Sequence, residues 1–289
     1  MSNTPSELLH QWLARQVSPD AMAWLGEKRE TLAAGEQRAL FLAFGMAPRK
    51  VGKEDLDLSG EDLTAADLAR SGWNPTGWST DQAARTLLIL SLPTADAGTY
   101  VVLLDKLFTA AEVGEQVALY QSLPILPHQE KHILRAAEGI RTNMKSVFCA
   151  VAHRSPYPQE QFNEEQWNQM VLKSLFVGVS LDPIIDIDER SNPKLMSMLI
   201  DYAHERWSAN RQVHPELWRP VGPYADERAM SDLKRVLAEG TELEQQAAAL
   251  ALSSCSSAEA KDILGARPEL ERQIKNCEIT WHGVAADGG

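Results

Sequence analysis

Asn192-Pro-Lys-Leu-Met-Ser-Met-Leu-Ile-Asp-Tyr-Ala-His-Glu-Arg-Trp-Ser-Ala-Asn-Arg211 decides the fold class. At about 100° per residue, Leu195, Met198, Leu199, Tyr202 and Ala203 share one face, with Met196, Ile200 and Trp207 on its flank. Ser197, Asp201, His204, Ser208 and Arg211 share the opposite face, with Glu205 at its edge. Asn192 before Pro193 is a capping residue followed by proline at the first helical position, so the spacing predicts a helix over 193–211.

The same three-and-four spacing recurs outward along the chain. It predicts helices near 5–17, 19–33, 36–46, 80–92, 95–110, 112–122 and 128–153, the last broken near Gly139. Further helices fall near 164–177, 226–239, 241–254, 257–265 and 268–276. Asn163 with Gln166 has the pattern of a capping box at the start of 164–177. The stretches 48–79, 178–192 and 212–225 read as long ordered loops. Leu58, Leu63 and Leu68 repeat every five residues, but three such units are too few for a β-solenoid, and an acidic loop with a short helix over 61–70 fits better. The alanine-rich helices of the tail look like stacked pairs. The expected fold is therefore all-α, a HEAT-like right-handed stack of antiparallel helix pairs. It is expected as one domain over 1–289, with sub-units 1–125, 126–225 and 226–280.

The chain has 289 residues, 44% hydrophobic and 24% charged, with a net charge of −12. This is ordinary globular composition, and it excludes a globally basic footprint for nucleic acid. Leu87-Leu88-Ile89-Leu90 is the longest apolar run, far short of the ~20 residues of a membrane span. The opening Met-Ser-Asn-Thr-Pro-Ser-Glu has no basic stretch followed by an apolar run, so no secretory signal is expected. Cys149, Cys255 and Cys277 have neither metal-type spacing nor an even count, so free thiols and a cytoplasmic setting are expected.

Several polar residues stand out. Arg206 falls between Leu195 and Leu199 on the wheel, so a core-facing guanidinium needs a buried carboxylate or an anionic ligand. His204 has Asp201 three residues before and Ser208 four after, which suits an acid/base residue and equally an ordinary surface histidine. Asn168, on an almost wholly apolar helix, needs a buried partner: a loop to pin or a polar pocket to line. Asp186 or Asp188 is expected to pair with Arg190, Arg206 or Arg141. His128 and His132 are four apart, but without a metalloprotease pattern they read as a solvated face. Trp73 and Trp78 bracket Asn-Pro-Thr-Gly. Such loop aromatics either form a ligand cup or clamp the loop.

Six ordered motifs then make the chain resemble a known family. They are Arg141-Thr-Asn143, Pro156-Tyr-Pro158, Trp167-Asn-Gln-Met-Val-Leu-Lys173, Arg190-Ser-Asn-Pro193, Asp201-Tyr-Ala-His-Glu-Arg-Trp207 and Pro215-Glu-Leu-Trp-Arg219. The series resembles the EboA family, first protein of the bacterial ebo gene cluster. Residues 141–224 match densely, Gly72 to Arg85 more loosely and the tail hardly at all. Ser191 stands where alanine is usual, and Ile187-Asp188 where Leu-Asp is. The resemblance implies a role in secondary-metabolite traffic, with no assigned reaction. The expected function is a non-enzymatic component binding a polar metabolite, partner Ebo proteins, or both. The expected ligand-binding set is Arg141, Asn143, Asn168, Lys173, Arg190, His204 and Arg206, without cofactor or metal, nucleic acid, or direct membrane insertion. The alternative is an enzyme acting on a cyclitol, sugar or prenylated metabolite, with His204 as acid/base and Asp201 or Glu205 orienting it.

Overall fold

The computed structural model describes residues 3–288, and among them the fold is all-helical with no strand. Eighteen α-helices follow in order. The first nine are α1 (Pro5–Gln16), α2 (Pro19–Ala33), α3 (Arg38–Val51), α4 (Gly60–Ala69), α5 (Thr80–Ile89), α6 (Ala97–Ala110), α7 (Val113–Ser122), α8 (Ile133–Gly139) and α9 (Lys145–Ala152). The rest are α10 (Tyr157–Gln161), α11 (Glu164–Val177), α12 (Pro193–Ser208), α13 (Trp218–Val221), α14 (Glu227–Glu239), α15 (Glu242–Ser254), α16 (Ala258–Gly265), α17 (Pro268–Lys275) and α18 (Trp281–Asp287). The chain divides into two compact units at Phe162/Asn163, inside the expected 126–225 segment rather than at its edges. Asn163 starts the second unit as the cap of α11, with the reciprocal Asn163–Gln166 bonds its sequence predicts.

In the first unit α5 is central. Its residues from Thr80 to Ile89 are buried apart from Gln82, and it packs against α1, α2, α3 and α7. Two charged side chains are buried with it, Asp81 and Arg85, which pair with each other. Their burial follows from α3, which runs through Pro48 to Val51 instead of stopping near 46. Proline at position 48 cannot donate to the carbonyl of Phe44, four residues earlier. Arg85 Nε donates to that carbonyl at 3.0 Å, and its guanidinium lies 5.4 Å from the Phe44 ring centre. Deprived of one backbone bond, the helix is held by a side chain from its neighbour.

The short helix expected over 61–70 is α4, started by a capping box of Ser59 and Asp62, so the leucine repeat lies partly on a helix. Another expectation needs correction. The 128–153 helix is three pieces, a 3₁₀ turn at Gln129–Lys131, then α8 and α9. His128 adopts a left-handed backbone (φ 57°), and His132 is buried with Nε2 at 3.2 Å from the Pro127 carbonyl. The two histidines therefore share no solvated α-helical face, and burial pushes the His132 pKa down.

In the second unit α15 is the hub. Its stretch Ala247 to Leu252 is buried, and α13, α14, α16, α17 and α18 pack around it. The small side chains there admit close neighbours. A Cβ on Gly222 would collide with the Ala251 carbonyl and with Ser254 Oγ, so only glycine fits that crossing. The 212–225 stretch, expected as loop, holds 3₁₀ turns at Pro215–Leu217 and Gly222–Tyr224 on either side of α13. Helix α18 lies beyond the last expected helix.

Replacing Arg85 tests the first core. Arg85→Met leaves Asp81 and the Phe44 carbonyl buried without a partner, and should cost about 3–5 kcal/mol in denaturant unfolding. Arg85→Lys should recover only part of that, because an ammonium lacks the fork that reaches both groups. An unchanged midpoint in either variant would remove Arg85 from its supporting role. Asp62 gives a pH test. Burial alone would raise its pKa, but hydrogen bonds from Arg15 and Ser59 bring it down to about 2. Its contribution is then present above the unfolded carboxylate value and lost as pH falls through about 2. The stability gap between wild type and Asp62→Asn should be constant from neutral pH down to about 5 and should shrink below about 4.

Candidate functional site

Most of the motif residues lie in the second unit, where they build a closed network around the irregular 178–192 segment. Asn168 is buried on α11 and makes a reciprocal amide pair with Asn192: Asn168 Nδ2 donates to Asn192 Oδ1 at 3.1 Å, and Asn192 Nδ2 donates to Asn168 Oδ1 at 2.8 Å. Asn192 Oδ1 also accepts from Leu195 N at 2.8 Å, so the cap of α12 is fixed to the middle of α11. The buried amide thus has the partner its position demands, and that partner pins a loop.

Glu216 does the same from the other side. It is fully buried, and its Oε1 accepts from Ser180 Oγ, Leu181 N and Asp182 N at 2.9–3.1 Å. One carboxylate oxygen thereby serves two backbone N–H groups of a segment with no helix or ladder to satisfy them. Glu216 Oε2 makes no hydrogen bond and lies 3.8 Å from His214 Nδ1. Burial pushes the His214 pKa down, against the pull of Glu216. Arg219 spans two carboxylates, Asp188 at 2.8 Å and Asp182 at 3.0 Å, and His282 Nδ1 meets Asp182 Oδ2 at 2.9 Å. Asp188 thus pairs with Arg219, while the charge of Asp186 acts on Arg190. Burial acts to raise the Asp182 pKa, but the hydrogen bonds from His282 and Arg219 outweigh it and hold it low.

The remaining expected residues occupy different places. Arg190 lies 4.4 Å from the Trp167 ring centre and Lys173 Nζ 4.7 Å from that of Phe176, both in cation–π range. Arg206 is half-buried rather than core, and among the described residues it meets no carboxylate. Its Nε donates to the Gln212 carbonyl at 2.9 Å over the Tyr202 ring. Arg206 sits in the last turn of α12, where its long stem reaches past the apolar stripe to a polar end. It borders a cleft of about 310 Å³ with Phe176, Tyr202, Val213 and His214. His204 pairs with Asp232 of α14 at 2.8 Å, not with Asp201, which binds Arg228 at 2.8 Å. Glu205 is exposed. Arg141 and Asn143 belong to the first unit, where both are exposed between α8 and α9.

The first unit holds a second cleft, of about 140 Å³. Trp73 and Trp78 line it from the loop before α5, Gln121 from α7, and Cys149 from α9, with His153 and Arg154 just beyond that helix. Both tryptophans are buried. Trp73 packs between Trp12, tilted by 37°, and Trp78, edge-on, at 5.6 and 6.2 Å between ring centres. The Asn74 side chain accepts from Thr76 N at 3.0 Å, which closes the turn between them. Two polar atoms of this lining are buried without a partner: the donor Trp73 Nε1 and the acceptor Gln121 Oε1. Burial pushes the Cys149 thiol pKa up, against weaker pulls from Lys145 and Arg154, so the thiol is neutral. Among the described residues no cluster of His, Cys, Asp and Glu could hold a metal ion.

The tryptophan pair was visible as a candidate cup in the sequence. Gln121, 48 positions from Trp73, was not, because nothing local to α7 distinguishes it from an ordinary helix polar residue. Glu216 carried a usable signal, since an acid directly before Leu217-Trp218 and their buried neighbours must find partners inside.

The geometry defines an all-helical protein in which Asn168, Glu216 and Arg219 are spent on packing, with an aromatic-walled cleft whose lining residues Trp73 and Gln121 each keep an unpartnered buried atom, as Thr80, Tyr100, Trp167 and Glu216 do elsewhere. Residues 5–222 match the model of the family described as metabolite traffic protein EboA, and the chain belongs to the EboA family. No curated protein and no solved structure matches it.

Removing the Glu216 carboxylate tests the network. Glu216→Ala strands the Leu181 and Asp182 amides and should cost the second unit about 2–5 kcal/mol. Hydrogen exchange should accelerate first at those two amides; unaltered protection there would show that Glu216 does not hold the segment. Asp182 should make this unit acid-sensitive. Its contribution is present above the unfolded carboxylate value and disappears as pH falls through the depressed folded one.

Proposed function

We propose that the protein is a non-enzymatic component of metabolite traffic that holds a small polar metabolite in the tryptophan-walled cleft. The observation that supports this is that Trp73 and Gln121, which both line one cavity, each carry a buried polar atom without a partner, Nε1 and Oε1. A buried donor and a buried acceptor left unmade each cost about 1–3 kcal/mol. A ligand group that both accepts and donates, such as an amide or a ring lactam, relieves both. A volume of about 140 Å³ suits a single ring, with the rest of the molecule toward Arg154, exposed on a left-handed backbone (φ 50°).

On this reading the closed network of the second unit is structural. The helix pairs from α14 to α17 stack in the HEAT-like manner, and their surfaces serve partner proteins of the same cytoplasmic pathway. A second reading rests on His204. Its imidazole is half-exposed, oriented by Asp232 and stacked on Trp207 at 5.7 Å, as a general base is held. It requires that His204→Ala abolish turnover of a pathway intermediate while the fold survives.

Native mass spectrometry of protein purified gently from its own host decides the first reading. The expected result is a reproducible mass above the denatured chain, lost in Trp73→Phe, which keeps a ring but no N–H. Gln121→Leu should weaken retention in the same way, and serves if the tryptophan variant packs poorly. A bare chain, or an added mass indifferent to both substitutions, would remove the cleft from consideration.

A further inference from the structure

Helix α3 buries Leu40, Ala43, Phe44, Ala47 and Val51, and its outward face has an unusual composition. The exposed positions are Arg38, Phe41, Leu42, Met46, Arg49 and Lys50, with Gly45 between them. No acid is among them, in a chain of net charge −12. Phe41, Leu42 and Met46 remain 37%, 72% and 37% exposed. Arg38, Leu42, Met46 and Lys50 follow one another at i, i+4 along a single row, and Phe41, Gly45 and Arg49 along the next. The apolar side chains therefore occupy the middle of a ridge about 18 Å long, with cations at both ends.

Glu36 and Glu54 flank the helix in sequence, but Arg38, Arg49, Lys50 and Lys53 outnumber them across 36–54. Glu115, close to Gly45, reaches Arg85 at 4.0 Å, and Glu27, whose charge is felt by Lys50, binds Lys28 at 2.6 Å. The ridge thus keeps its positive sign. The helix is also pre-formed, because its inner face is core and Arg85 holds its proline turn, so docking needs no folding step.

We propose that this face of α3 docks the protein on an anionic lipid surface. Phe41, Leu42 and Met46 lie at the headgroup boundary, and Arg38, Arg49 and Lys50 meet lipid phosphates. Charge complementarity selects a negative partner. The area selects a membrane over a protein: three partly exposed side chains fall far short of the ~800 Å² per partner that a stable protein interface buries. Peripheral attachment to lipid needs only a few apolar residues and the summed attraction of a few cations. No spanning segment is involved, and among the described residues no helix is long and apolar enough to be one.

Co-sedimentation of the full chain with phosphatidylcholine vesicles, with and without phosphatidylglycerol, tests this. Binding is expected only with phosphatidylglycerol and should weaken as salt rises. Arg49→Glu combined with Lys50→Glu should reduce it at least roughly tenfold, and so should Leu42→Asp. All three positions are exposed, so circular dichroism and the unfolding midpoint should stay at wild-type values. Absence of sedimentation with phosphatidylglycerol at low salt overturns the proposal, as does binding indifferent to these substitutions. Capture of a polyglutamate peptide by wild type but not by the variants, without vesicle binding, would instead assign the ridge to an acidic protein.

Discussion

The contact between Arg85 and the Phe44 carbonyl is where the first unit begins to make sense. A proline inside a helix leaves the carbonyl four residues back without its donor, and a buried orphan of that kind ends most helices. Here the guanidinium of a neighbouring helix supplies the donor, so α3 continues one turn past Pro48. That extra turn buries Val51 and delivers residues 54–56 beside the loop before α5. Leu56 N then donates to the Trp78 carbonyl at 2.7 Å, and Thr80 N to the Glu54 carbonyl at 2.9 Å. Trp78 is thereby fixed in the wall of the cleft, and Ser79 is set as the cap of α5. The cleft's geometry depends on a bond several residues removed from it.

The second unit solves the same problem with the opposite charge. An all-helical fold has no strand ladder to absorb the backbone polarity of a long irregular segment, so side chains must do it. Glu216 serves the amides at the start of the 178–192 segment, Asn192 closes its end onto Asn168, and Arg219 ties together two of its aspartates. Of the residues the sequence singles out as candidate ligand contacts, Asn168 is thereby spent on holding a loop.

What could be read from the chain alone follows from which interactions are local. Helix positions and caps depend on neighbours within four residues, so α11 and α12 begin where Asn163 and Asn192 place them. Arg206 shows the limit of a helical wheel. Its azimuth points inward, but it lies at the end of α12, and a flexible stem turns its charge to the Gln212 carbonyl. His204 shows a second limit. Asp201 is its neighbour in sequence, whereas Asp232, 28 residues on, is its partner in space. α3 shows a third: the donor that lets it run past Pro48 comes from a helix 41 positions away.

The contrast between the two polar regions bears on function. Burying a polar atom without a partner opposes folding, so a structural cluster tends toward saturation, as the 178–192 network largely does apart from one oxygen of Glu216. A binding site is under a different constraint: groups that will meet a ligand cannot be fully satisfied by the protein beforehand. Trp73 and Gln121 fit that condition. One offers a proton and the other a lone pair, on walls kept rigid by packed indoles and a closed turn. Because such atoms lower the stability of the empty protein, a molecule that pairs with them stabilises the fold as it binds. Rigid walls and unmet hydrogen bonds together favour a particular donor–acceptor pattern over mere apolar bulk.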